Sequence, residues 1–212
     1  MMQKEACIIF DMDGTLIDSS FAMTQSVNHV RHHLGLAPIS KEELEYHINQ
    51  PDQHLPKIFY NTQEYDPSHR ALFREHYLST STQSIELYPD VKEMLEFMAK
   101  KATLCVATNA SDFFARHMLE HLKILEFFEG VVGANNVPEP KPNPQMVEFL
   151  IESTQSLKER TLLVGDSIKD EYAAQNADIP FIFADWGYGK SDTASMRAKN
   201  IRELIGLFHI LI

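Results

Sequence analysis

Four short apolar runs stand out along the chain: ACIIF at 6–10, TLCVA at 103–107, TLLV at 161–164 and PFIF at 180–183. None of them alternates polar with apolar residues. A strand covered on both faces reads as a continuous apolar run, so these predict the inner strands of a parallel sheet. GVV at 130–132, just before the turn GANN, is a weaker fifth. Helical periodicity fills the intervals. In PDVKEMLEFMAK (89–100), Val91, Met94, Leu95 and Met98 share a face, with Pro89 in the first turn. In SDFFARHMLEHL (111–122), Ser111 caps, and Phe114, Met118 and Leu122 line up. In NPQMVEFLIES (143–153), Asn143 caps, and Met146, Val147, Leu150 and Ile151 face inward. In SIKDEYAAQNA (167–177), Ile168 and Tyr172 lie one turn apart. Strands alternating with helices imply βαβ units around a parallel α/β sheet.

One stretch breaks the alternation. From Ser19 to Ser84 no strand pattern occurs, and FAMTQSVNHVRHHLGL, SKEELEYHINQ and DPSHRALFREHYLST all read as helices. Gly35, Pro38, Pro51, Pro56 and Pro67 punctuate them. The expectation is a Rossmann-like core, residues 1–17 and 86–212, carrying an inserted all-helical lobe, residues 18–85. The apolar tail LIGLFHILI reads as a last packed helix or a subunit contact, leaving monomer and homodimer both open.

Composition narrows the partners. The chain has 212 residues, 44% hydrophobic and 23% charged, in the range of a globular protein. Its net charge is −11 and no run of Lys and Arg breaks that balance, which argues against nucleic acid. A cation facing an anionic ligand must then be placed locally. Cys7 and Cys105 sit inside apolar runs and read as reduced core thiols. The segment MMQKEACIIF is too short and too acidic for a signal peptide, and no window reaches the roughly 18 apolar residues of a membrane span. A cytoplasmic location is expected, with no membrane partner. Seven of the ten histidines lie between His29 and His76. His117 and His121 have metal-compatible spacing, but no third ligand accompanies them, so structural or exposed roles are expected.

The polar residues with chemical potential follow the strands. Asp11 and Asp13 follow the first, Thr108 and Asn109 the second, and Asp166 and Asp170 the third. Lys141, in PKPNP, precedes the third. An open parallel sheet binds ligands beyond its carboxyl ends, so these residues converge on one edge. Two unit charges 4 Å apart repel by about 4 kcal/mol at an effective dielectric of 20. One lysine does not offset four carboxylates, whereas a divalent cation does, and an all-oxygen site suits Mg²⁺ shared with a substrate phosphate. With its charge screened by metal and Lys141, an aspartate becomes competent to attack phosphorus. Thr108, Asn109 and backbone N–H groups after Asp11 can hold the phosphate oxygens, and Gly14 lets the backbone turn close to them.

DMDGTLIDS, ATNAS, KPNP and GDSIKD occur in the order and rough spacing of the four motifs of the haloacid dehalogenase superfamily, which this chain resembles from 11 to 170. The helical insert looks like that family's cap in its first insertion point. DWGYG (185–189) is similar to the phosphoglycolate phosphatase-like branch. The resemblance implies a Mg²⁺-dependent phosphatase acting on a small phosphorylated metabolite through an aspartyl-phosphate. Asp11 is then the nucleophile and a metal ligand. Asp13 is the general acid and base, with its backbone carbonyl on the metal. Thr108 and Lys141 hold the phosphoryl group, Asp166 ligates the metal directly, and Asp170 orients a metal-bound water or Lys141. The second acid, Asp13, argues against dehalogenation. Ala110 stands where many phosphoglycolate phosphatases carry a Lys, which weakens the case for glycolate as leaving group. A phosphomutase of the β-phosphoglucomutase type and a non-catalytic scaffold of the same fold are the alternatives. Asp18 reads as a cap or hinge residue. Trp186 and Tyr188 either pack on the helical lobe or close their own loop.

Overall fold

A computed structural model describes residues 6–211, with side chains through Phe208. Residues 1–5 of the segment MMQKEACIIF lie outside the described residues, as does Ile212 at the end of the apolar tail. In chain order the elements are β1 (Ala6–Phe10), β2 (Ile17–Asp18), α1 (Ser20–His33), α2 (Lys41–Asn49), α3 (Leu55–Tyr60), α4 (Pro67–Thr80), β3 (Glu86–Leu87), α5 (Val91–Met98), β4 (Ala102–Thr108), α6 (Asp112–His121), β5 (Gly130–Gly133), α7 (Gln145–Ser153), β6 (Thr161–Gly165), α8 (Ile168–Ala177), β7 (Phe181–Ala184), β8 (Arg197–Ala198) and α9 (Ile201–Leu211).

The main sheet has the order β5-β4-β1-β6-β7-β8, and all its pairings are parallel. Counting only its own strands, this is the 3-2-1-4-5-6 order of the Rossmann fold. The order reverses at β1, where Ile9 pairs with Cys105 on one side and Leu163 on the other. Alternation along the strands feeds two cores. Ile8, Phe10, Leu104 and Val106 face α5, α6 and α9, while Cys7, Ile9, Cys105 and Leu163 face α7 and α8. Both cysteines are free and buried. Among the described residues no helix is long and apolar enough to cross a membrane.

Helices α1–α4 lie between β2 and β3 and share a core of their own, built on Val27, Val30, Ile39, Leu44, Phe59 and Tyr60. Their starts are capped locally: Ser40 accepts from Glu43 N–H at 3.1 Å, and Asp66 accepts from Ser68 N–H at 2.7 Å ahead of Pro67. The chain leaves and re-enters through a short antiparallel ribbon in which Ile17 pairs with Leu87 and Asp18 with Glu86.

Some local readings need correction. The helix expected from Pro89 starts at Val91, because Asp90 takes a left-handed φ of 66°. Asn143 is not the cap residue of α7; Pro144 holds that place, and Asn143 instead accepts from Gln145 N–H at 3.1 Å. Tyr172 is exposed, since α8 buries Asp170, Ala173, Ala174 and Ala177 toward the sheet. Ribbon β2–β3, strand β8 and helix α3 were not visible in the sequence pattern.

Candidate active site

The carboxyl ends of β1, β4 and β6 are adjacent, so the sheet delivers Asp11, Thr108 and Asp166 to one edge. Asp166 follows β6 directly, and Asp170 enters from the first turn of α8. There Ser167 and Asp170 cap each other: Ser167 N–H and Oγ–H donate to Asp170 Oδ2 at 3.1 and 2.5 Å. Lys141 reaches the same point from the loop before α7. Asn109 fixes that loop from two sides, donating Nδ2–H to Lys141 O at 2.8 Å and accepting from Lys141 N–H at 3.1 Å.

Lys141 Nζ donates to Asp11 Oδ1 at 2.6 Å, to Asp170 Oδ1 at 2.5 Å and to Ala107 O at 2.6 Å. All three ammonium protons are thereby used. Asp11, Asp166 and Asp170 are buried, and each offers an oxygen within 4.8 Å of the others. The charges are crowded. Burial above all, and then the charges of Asp170 and Asp166, hold the Asp11 carboxyl well above its usual range against the pull of Lys141. Burial and Asp170 push Asp166 up to about 7. Burial works to lower Lys141, but Asp11 and Asp170 outweigh it and hold the ammonium above its ordinary value.

The second oxygen of Asp166 is held by the loop after β7: Tyr188 N–H and Gly189 N–H donate to Oδ2 at 2.7 and 3.1 Å. Thr15 Oγ–H approaches Oδ1 at 3.3 Å. Gly14 has a φ of +87°, and a Cβ there would lie 2.3 Å from Asp166 Oδ2. A side chain at residue 14 is therefore excluded twice, by conformation and by the carboxylate behind it.

Asp13 is not part of the carboxylate group. Ser19 Oγ–H donates to its Oδ1. Burial raises the Asp13 carboxyl, while hydrogen bonds from Ser19 and Thr108 and the charge of Lys141 pull it down. Thr108 ends β4, with its Oγ accepting from Ala110 N–H at 3.1 Å. The sequence residues Asp11, Asp13, Gly14, Thr108, Asn109, Lys141, Asp166 and Asp170 thus all sit at this edge or in the loops that support it.

Sequence reasoning missed Ser19 and left Tyr188 undecided. The Tyr188 hydroxyl accepts from Ser19 N–H at 2.7 Å and Ser20 N–H at 3.1 Å and donates to Asp18 Oδ1 at 3.0 Å. Asp18 in turn accepts from Ser20 Oγ–H at 2.7 Å. Trp186 Nε1–H donates to Thr15 O at 3.0 Å. Lys169 Nζ donates to Ile48 O at 2.6 Å, tying α8 to the end of α2. The DWGYG segment was the one available signal for Tyr188.

The sequence profile of the haloacid dehalogenase-like hydrolases matches residues 8–184. The chain belongs to that family. Among relatives of this hydrolase, a phosphoglycolate phosphatase of Rhodobacter capsulatus is 32% identical over 192 residues, covering 87% of this chain and 86% of that protein. One of Agrobacterium fabrum is 30% identical over 188 residues, covering 85% and 80%. A haloacid dehalogenase-like hydrolase from Streptococcus pneumoniae superposes with a TM-score of 0.82 at 22% identity, covering 98% of this chain and 100% of that one, which shows a common fold.

Proposed function

We propose that this hydrolase cleaves small-molecule phosphomonoesters through an aspartyl-phosphate on Asp11, with Mg²⁺ as its cation. The observation that carries this reading is the group of three buried carboxylates, Asp11, Asp166 and Asp170, around the single ammonium of Lys141. The donor set fits a hard divalent cation. Asp170 has both oxygens held at 2.5 Å, by Lys141 and Ser167, whereas Asp166 Oδ1 has only the 3.3 Å contact of Thr15, so Asp11 and Asp166 are the side chains best placed to hold the metal, together with the backbone carbonyl of Asp13. When bound, Mg²⁺ supplies positive charge that offsets the phosphate and the carboxylates.

The chain's own residues do the rest. The Thr108 hydroxyl binds a phosphoryl oxygen, Lys141 joins it by turning the N–H that it gives Asp11 toward the phosphoryl group, and Asn109 fixes the loop that carries Lys141. A carboxylate oxygen of Asp11 attacks phosphorus while the bond to the ester oxygen breaks. Asp13, its pKa raised by burial and its orientation set by Ser19, gives its proton to the departing alkoxide. Asp13 then takes a proton from water as that water attacks the aspartyl-phosphate, releasing phosphate and restoring the Asp11 carboxylate. Asp170 positions Lys141. Residues 18–85 act as a cap over a core of 1–17 and 86–212, shielding the reacting atoms from bulk water.

Phosphate release from phenyl phosphate with Mg²⁺ tests the reading. Asp11→Asn should lower it by at least about a thousandfold without unfolding the protein, since it removes the nucleophile. A folded variant retaining a tenth of the activity would refute the mechanism.

A further inference from the structure

Asp13 lines a cavity of about 670 Å³ that runs from the sheet edge in among α1–α4. Its walls are mostly apolar. Phe73 and Tyr77 stack at 5.4 Å, and Phe114 meets Tyr77 edge-on at 5.3 Å. Met23, Val27 and Leu55 extend the lining into the helices. Such a volume is more than twenty times the ~30 Å³ share of one water, within the range of pockets that enclose a sizeable ligand. A two-carbon acid would leave most of it filled with water against aromatic rings. The rings select for something larger and apolar.

The far end of the cavity is polar. His69, Phe73 and Tyr77 follow one another at four-residue intervals on α4 and so share a face. Tyr77 is at the reacting end, where the charge of Asp13 acts on its hydroxyl. Eight residues of helix then place His69 about 12 Å further in. His69 Nδ1 is buried with no hydrogen-bond partner among the described residues. Its ring packs edge-on against Tyr60 at 5.8 Å. Arg70, next to His69 and partly open to solvent, also lines the cavity, resting on Tyr65 and forming no ion pair among the described residues, whereas Arg74 rests on Phe113 nearer the Tyr77 end. In a chain of net charge −11, an arginine with no ion pair among the described residues, beside an unpartnered His69, favours an electron-rich end group there.

We infer that the alcohol part of the substrate is an elongated, ring-bearing apolar body ending in a hydrogen-bond acceptor or carboxylate. The phosphate lies at Asp11, the body against Phe73, Tyr77 and Phe114, and the end group at His69 with Arg70 nearby. This rests on the phosphatase reading above and names the class of ester that the same site takes. The chemistry is ordinary hydrolysis: water adds, the phosphorus–oxygen ester bond breaks, and the ring-bearing alcohol and phosphate leave.

Two measurements on the Mg²⁺-loaded protein test it. The first compares kcat/KM for 2-phosphoglycolate, 2-naphthyl phosphate and 6-phosphonooxy-2-naphthoate. The second measures calorimetric binding of 2-naphthylmethylphosphonate and of 3-phosphonopropionate, which cannot be hydrolysed. The naphthyl ester should exceed phosphoglycolate at least tenfold, and the naphthoate should exceed both. Hydrolysis with phosphoglycolate equal or preferred overturns the inference and leaves the phosphatase reading standing. No hydrolysis of any ester, with naphthylmethylphosphonate binding tenfold tighter than phosphonopropionate, overturns the phosphatase reading and upholds the cavity assignment. Equal binding of the two phosphonates overturns the inference. His69→Leu should lower the naphthoate-to-naphthyl ratio about tenfold, and an unchanged ratio in the folded variant would remove His69 from the assignment.

Discussion

Replacing Lys141 with methionine isolates the electrostatic premise of the site. Methionine keeps an unbranched apolar stem of similar length and removes the charge together with its three hydrogen bonds. Lys141 Nζ lies 2.6 Å from Asp11 and 2.5 Å from Asp170, in a group whose carboxylate oxygens are within 4.8 Å of one another. At that separation and an effective dielectric of 20, each pair of charges repels by about 3.5 kcal/mol. The carboxylates have an escape, because one of them can take a proton. Bringing an aspartate of ordinary pKa near 3.9 to its neutral form at pH 7 costs about three pH units at 1.36 kcal/mol each, so about 4 kcal/mol is the ceiling on the part of the damage due to charge repulsion. That agrees with the 3–5 kcal/mol typical of breaking one side of a buried ion pair. At pH 5 the same protonation costs only about 1.5 kcal/mol. Urea unfolding in EDTA should therefore show Lys141→Met destabilised by about 3–4 kcal/mol at pH 7, a midpoint shift on the order of 1–2 M, and by about half that or less at pH 5. Excess Mg²⁺ should return part of the loss at pH 7 by replacing the missing charge. A loss below about 1 kcal/mol at pH 7, or an equal loss at both pH values, would show that the lysine acts by packing and that the carboxylates do not burden one another.

Asp13→Asn should lower turnover of phenyl phosphate by about 10²–10⁴-fold, and less for esters whose leaving group needs no proton; an equal loss for all leaving groups would count against the acid role. Asp11, Asp13 and Asp166 all have folded-state pKa values raised above the unfolded ones, Asp166 to about 7, so without metal their contribution to stability is fully present below about pH 4 and is lost as pH rises toward 7. Mg²⁺ binds the ionised forms, so the Tm difference between Mg²⁺ and EDTA should widen from pH 4 to pH 7; a constant difference would mean that these groups do not hold the metal. Tyr188→Phe removes the acceptor of Ser19 and Ser20 N–H but keeps the backbone donors to Asp166, and should cost about 1–3 kcal/mol in urea unfolding while Mg²⁺ affinity changes little. A tenfold loss of Mg²⁺ affinity there would tie the hydroxyl to the metal site instead.

What the sequence made legible was set by burial. β1, β4, β6 and β7 are covered on both faces, so their apolar runs are continuous and visible, and parallel topology then forces the residues after each strand to one edge. Asp11, Thr108 and Asp166 could be placed together on that ground alone. The ribbon of β2 and β3 has two residues on each side, too few for any period to register. Helix α3 is hidden because Pro56 sits at its second position in a six-residue element and reads as punctuation. Asp90 and Asp178 hold left-handed conformations where glycine is common, and an aspartate does not advertise that conformation in a sequence.

The supporting contacts were beyond reach for a different reason. Ser19 and Tyr188 are 169 residues apart, and no periodicity connects them. Yet they set the geometry of both halves of the proposed reaction. The backbone of Tyr188 fixes one oxygen of Asp166, its hydroxyl fixes the backbone of Ser19, and the hydroxyl of Ser19 orients Asp13. One loop after β7 therefore supports a proposed metal ligand and the proposed acid at the point where the chain leaves for the helical insert. A sequence displays the groups that do chemistry because their types are few and their positions are tied to strand ends. It conceals the groups that aim them, because any hydroxyl or amide that the fold brings near will serve.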